Sequence, residues 1–171
     1  MPTPPYDPVD PADLAVVRSQ LGREPRGVVG IAGRCVCGNP TVVATAPRLA
    51  DGSPFPTFYY LTHPVATAAM SQLEATQTMP ELAALLDDPE VAAAYRGAHE
   101  AYLADRARYG EVPEVAGISA GGMPTRVKCL HALAAHALAA GPGVNPIGDA
   151  ALARSTWSSA RCECAAPGDV A

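Results

Sequence analysis

The stretch VVGIAGRCVCGNPTVVATAPRLADGSPFPTFYYLT, residues 28–62, decides the reading of the fold. Val28–Ala32 is short and β-branched, Thr41–Thr45 repeats that composition, and Phe55–Thr62 is aromatic-rich, so each reads as a strand. Gly38-Asn39-Pro40 and Asp51-Gly52-Ser53-Pro54 stand between them as turns. Three strands on short loops predict an antiparallel meander. Their apolar pattern is nearly continuous, so at least one sheet face is expected to be covered.

Outward from this meander the period changes. Upstream, Asp10 is placed to cap a helix with Pro11 in its first turn; Leu14, Val17 and Leu21 recur at helical spacing, and Gly22 closes it. Residues 1–9 hold four prolines and read as a disordered or extended arm. Downstream, helices are expected over Val65–Gln77 and Pro80–Leu86, from Pro89 (capped by Asp88) to about Tyr109, from Thr125 to Gly141, and briefly after Pro146. A Gly/Pro-rich loop covers 110–124. The expectation is an α+β fold, a small three-stranded antiparallel meander packed against about five helices. One domain spans 10–156, and 157–171 form a mobile tail.

The chain's 171 residues, 49% of them hydrophobic, suffice for a real core. The net charge of −5, scattered arginines and a single lysine, Lys128, argue against a nucleic-acid grip. The opening Met1–Pro8 has neither the positive nor the apolar region of a signal peptide, and no apolar run is long enough to span a membrane. A cytoplasmic location with no membrane partner is therefore expected. In that reducing compartment the five cysteines read first as metal ligands, reactive thiols or core filler.

Cys35 and Cys37, two apart at a strand end, project to the same side, and Gly38 lets the chain turn away. Two small core residues would look the same. Cys129, expected in the first turns of the helix from Thr125, has Arg126 three residues before it. Arginine and helix dipole together would favour a thiolate, making Cys129 and Arg126 the candidate catalytic pair; an inert buried cysteine is the alternative. On that helix Cys129 and His131 would point about 200° apart and could not share an ion. His63, extended ahead of Pro64, is placed to complete a Cys35, Cys37, Cys129, His63 site. That ligand mix suits structural zinc, or an iron–sulfur cluster as alternative. Cys162 and Cys164 repeat the CxC spacing but are left out of the set, as tail residues.

Tyr95, His99, Tyr102 and Arg106 form one helical stripe, either the lining of a ligand pocket or the edge of a packed helix. Gly121 and Gly122, ahead of Arg126, make a glycine-rich approach to a helix N-terminus, suited to a small anion. His136 reads as a pocket residue or a satisfied core histidine.

Four runs carry a resemblance: Arg34–Pro40, Pro47–Thr62, Gly121–His131 and Asn145–Asp149. On these the chain resembles the actinobacterial domain-of-unknown-function 501 family, from about Leu14 to Asp149. The resemblance implies an actinobacterial source and a gene neighbourhood with septum-formation-initiator-like and exopolyphosphatase-like proteins, but no activity. The functional expectation is a metal-binding protein. A thiol enzyme using Cys129, or an interaction module docking a cell-division partner, remain as alternatives.

Overall fold

β1 (Val28–Arg34), β2 (Pro40–Thr45) and β3 (Tyr59–Leu61) form one antiparallel sheet in the order β1-β2-β3, as a meander should. The computed structural model that shows this describes residues 5–164. β2 is the middle strand, and all its residues are buried. Its alternation separates two cores. Val42 and Ala44 join the main core with Tyr59, Leu61 and the helices, whereas Val43 packs with Ile31 and with Val17 of α1 (Pro11–Leu21) on the opposite face. Both faces of the sheet are therefore covered. The third strand is shorter than its sequence suggests, because Pro54 and Pro56 keep the lead-in out of the ladder.

Five further helices follow among the described residues: α2 (Pro64–Glu74), α3 (Thr78–Ala84), α4 (Pro89–Tyr109), α5 (Leu130–Ala140) and α6 (Pro146–Arg154). Their starts follow the capping chemistry. The side chains of Asp10, Asp88 and Asn145 accept from the amides of Asp13, Glu90 and Gly148, and proline opens α1, α2, α4 and α6. α5 is Ala and Leu apart from His131 and His136 and is buried from Ala132 to Ala137, the signature of a central helix. Gly148 lets α6 cross it closely, since a Cβ there would lie 2.2 Å from the Leu133 carbonyl oxygen.

Both ends of the described stretch lie against the domain. Asp7 exchanges two backbone hydrogen bonds with Ile31 (2.8 and 2.9 Å). The Tyr6 ring lies over Gly30, where a Cβ would come within 2.0 Å of it, and packs edge-on to Phe58. So residues 5–9 extend the sheet side; 1–4 lie outside the described residues. At the other end Trp157 is only 2% exposed and belongs to the main core, so 157–164 run along the domain; 165–171 lie outside the described residues. No helix among the described residues is long and apolar enough to cross a membrane.

Candidate metal centre

The turn between β1 and β2 is Cys35-Val36-Cys37-Gly38. The Cys35 amide donates to the Asn39 carbonyl and the Gly38 amide donates back to the Cys35 carbonyl, both at 2.8 Å. Gly38 sits at φ 92°, a left-handed conformation a side chain would strain. Arg34 braces the turn. It donates to both carboxylate oxygens of Asp13 (2.8 and 3.0 Å), to Asp7 (3.2 Å) and to the Gly38 carbonyl (2.9 Å). Its guanidinium holds the nearly buried Asp13 carboxyl below the ordinary carboxylate range.

The C-terminal segment returns to this turn. Trp157 anchors it in the core, and the Val36 amide donates to the Ser159 carbonyl at 2.9 Å. Arg161 bends the last residues by donating to the Thr156 carbonyl (2.9 Å) and pairing with Glu163. The sulfurs of Cys35, Cys37, Cys162 and Cys164 thereby come to lie within 4.8 Å of one another, with Cys37 and Cys164 at 3.5 Å and no disulfide among them. Tetrahedral zinc with bonds of about 2.3 Å would set its sulfurs about 3.8 Å apart. The cluster has that size. Cys35 is its buried leg, while Cys37 and Cys162 are exposed. The Asn39 backbone amide and the neighbouring sulfurs draw the Cys37 thiol down to about 7, whereas burial and then Cys37 push Cys164 up to about 12. Negative charge in the cluster thus settles first on Cys37.

His63 stands beside the cluster. It is fully buried and caps α2, its Nδ1 accepting from the Ala66 amide at 3.4 Å. An amide only donates, so Nδ1 carries the lone pair and the proton sits on Nε2, which faces Cys164 Sγ at 3.4 Å. Burial lowers the pKa of the ring and keeps it neutral. His63 therefore donates toward the Cys164 sulfur and stands outside the four sulfurs that come together, where the sequence reading places it among the donors.

Cys129 is not part of this cluster either. α5 starts at Leu130 and not at Thr125, and Cys129 is its N-cap, with extended φ −144° and ψ 108°. The helical angle that would separate Cys129 from His131 therefore does not apply. Both approach Glu74, the last residue of α2, with their ligand atoms and a Glu74 oxygen within 4.8 Å of one another. The neighbouring His131 lowers the Cys129 thiol against the opposing effect of burial. Cys129 and then Glu74 raise His131 to about 9, burial opposing. Arg126, the expected activator, has an exposed side chain, and its carbonyl accepts from the Tyr95 hydroxyl at 2.9 Å.

The remaining candidates are used by the fold itself. The Tyr102 hydroxyl accepts from the amides of Phe58 (2.5 Å) and Tyr59 (3.3 Å), and Arg106 donates to the carbonyls of Pro56 (2.9 Å) and Val115 (2.7 Å). His99 meets the Ser119 hydroxyl at 2.8 Å. The stripe Tyr95, His99, Tyr102, Arg106 thus ties α4 to the β3 lead-in and to the loop before α5. His136 is fully buried, stacked on Tyr59 and bonded through Nδ1 to Asn145 at 3.1 Å; burial drops it to about 4. The glycine loop lies against the N-cap of α5 but presents a carbonyl to it rather than anion-binding amides. Gly121 accepts from the amides of Lys128 and Cys129, and a Cβ on Gly122 would lie 2.5 Å from the Arg126 oxygen, so both glycines serve a tight fold-back. The place of the expected anion, at the start of α5, is taken by Glu74, which accepts from the Leu130 amide at 2.6 Å.

Cys162 and Cys164 are the residues of the four-cysteine cluster that the sequence reading left out. The signal was there, in the same CxC spacing as Cys35 and Cys37. Neither a curated protein nor a solved structure matches the chain. A family model matches residues 31–153, a span that includes Cys35, Cys37, Glu74, Cys129 and His131 and ends before Cys162. The model carries the description "Protein of unknown function (DUF501)", and the chain belongs to that family.

Proposed function

We propose that this is a zinc protein, in which Cys35, Cys37, Cys162 and Cys164 hold one ion and the ion clips the C-terminal segment to the β1–β2 turn. The observation that carries the reading is the convergence of four sulfurs from two chain segments within 4.8 Å of one another. Every donor is a cysteine sulfur, and four of them suit a closed structural site with no open position, the ion itself drawing off the thiol protons as it binds. A set this compact favours a single ion at its centre over a cluster whose ligands spread over several irons. Four thiolates around a divalent ion leave a net negative charge, and the His63 Nε2–H facing Cys164 Sγ offsets part of it.

The experiment is metal analysis by plasma mass spectrometry on untagged protein purified without air. Wild type carries zinc. The double substitution Cys37→Ser, Cys164→Ser loses one equivalent and melts at a lower temperature. Retention of the full zinc content by that variant would refute the ligand set, and iron in place of zinc would move the site to iron chemistry.

A further inference from the structure

A second group of donors lies outside the four-cysteine cluster. Glu74 closes α2, Cys129 caps α5 and His131 lies in the first turn of α5. We propose that Glu74, Cys129 and His131 form a second divalent-cation site, suited to zinc, whose fourth position faces solvent.

Three observations support it. The first is the orientation of His131. Its Nε2 lies 3.1 Å from the Thr67 carbonyl and 3.1 Å from the Ser71 hydroxyl. A carbonyl only accepts, so Nε2 carries a proton, and Nδ1 is the atom turned toward Glu74 and Cys129. A histidine whose far nitrogen is fixed by a backbone carbonyl has the usual arrangement of a metal ligand. The second is spacing. His131 Nδ1 and Glu74 Oε1 stand 3.1 Å apart, near the edge of about 3.4 Å expected between nitrogen and oxygen ligands of tetrahedral zinc. Glu74 Oε1 is held in place by the Leu130 amide.

The third is charge and access. One carboxylate, one thiolate and one neutral imidazole neutralise a divalent ion completely. The side chains of Glu74 and His131 are 28% and 27% exposed, which leaves a face for water or an added ligand. Three protein ligands with an open fourth position form the pattern of reactive zinc sites, in contrast to the closed four-cysteine cluster.

The test is zinc titration of demetallated protein by equilibrium dialysis, read as equivalents per chain. Wild type is expected to bind two. Glu74→Gln, which keeps an acceptor for the Leu130 amide, and Cys129→Ser should each bind one. Cys37→Ser, Cys164→Ser should also fall to one, by losing the other site. Cobalt added to protein already holding one zinc should give a thiolate charge-transfer band in wild type that Cys129→Ser abolishes. The proposal is overturned if Glu74→Gln and Cys129→Ser both keep two equivalents. It also fails if wild type binds a single ion that only the Cys37/Cys164 variant loses. A single ion lost only by Cys129→Ser would instead uphold this site and sink the four-cysteine one. Alkylation of Cys129 at the same fast rate with and without zinc would show a free reactive thiolate there and overturn the metal reading.

Discussion

In the zinc protein proposed above, removing the ion should release the end of the described chain while leaving Trp157 in place. The stretch 158–164 has few attachments apart from its two cysteines: the Val36 amide to Ser159, and Arg161 to Thr156 and Glu163. Ordering it costs about 1–2 kcal/mol per residue, roughly 7–14 kcal/mol for the stretch. Each hydrogen bond returns only about 1 kcal/mol. Structural zinc sites release about 10–16 kcal/mol, enough to cover the deficit. Trp157 differs, because burying an aromatic side chain of 150–250 Å² at about 25 cal/mol/Å² contributes roughly 4–6 kcal/mol to a side chain already 2% exposed. Limited trypsin digestion followed by mass spectrometry reads the first part, since Arg161–Cys162 is a cleavable bond inside the stretch. Chelation should speed that cut at least about a hundredfold, corresponding to a loss of about 3 kcal/mol of closure. Emission from Trp157, the chain's single tryptophan, should stay blue. Equal protection of Arg161 with and without chelator would refute the reasoning, because the hydrogen bonds alone would then suffice. A large red shift would show that the ion, and not core burial, holds Trp157.

Two further perturbations probe the core behind the site. His136 is held neutral at about 4, below its ordinary 6.5, so the unfolded chain takes up the proton first. Its stability is complete above about pH 6.5 and is lost as pH falls toward 4, by about 3 kcal/mol in all. Urea unfolding at pH 7 and pH 4.5 should show that loss, and His136→Gln should flatten it; an unchanged slope in the variant would clear His136 of the effect. Gly148→Ala puts a Cβ 2.2 Å from the Leu133 oxygen at the α5–α6 crossing and should cost about 2–3 kcal/mol, whereas Gly97→Ala, on the open face of α4 with nothing within 4 Å, should stabilise by about 0.5–1 kcal/mol. Thermal melts of the two variants should move in opposite directions, and a shift of the same sign in both would discredit the packing argument.

The elements that were legible in the sequence are those governed by local chemistry. Asp10-Pro11, Asp88-Pro89 and Asn145-Pro146 each mark a helix start, because a short polar acceptor followed by proline satisfies the first turn without tertiary help. Thr125 carried a similar signal and gave no helix. The amides that follow it are drawn into the Gly121–Gly122 fold-back, and α5 begins only where Glu74 reaches the Leu130 amide. That one shift of about five residues turned Cys129 from a helical residue into a cap and brought it together with His131. The stripe on α4 was recognised as a stripe, but its role depended on orphan backbone groups at Pro56, Phe58 and Val115 that no local pattern reveals.

The sequence by itself determined the α+β class, the three-stranded meander, most helix starts and the two CxC pairs, since period, capping and turn chemistry act within a few residues. Only the tertiary structure decided which cysteines meet. The Cys35–Cys37 turn and the Cys162–Cys164 segment are joined because Trp157 is pulled into the core and directs the chain that follows it past Val36. His63 stands outside the four-sulfur cluster, with its Nδ1 turned to the α2 cap. Long-range burial and competition for hydrogen bonds set both outcomes, and neither is written in the spacing of the residues concerned.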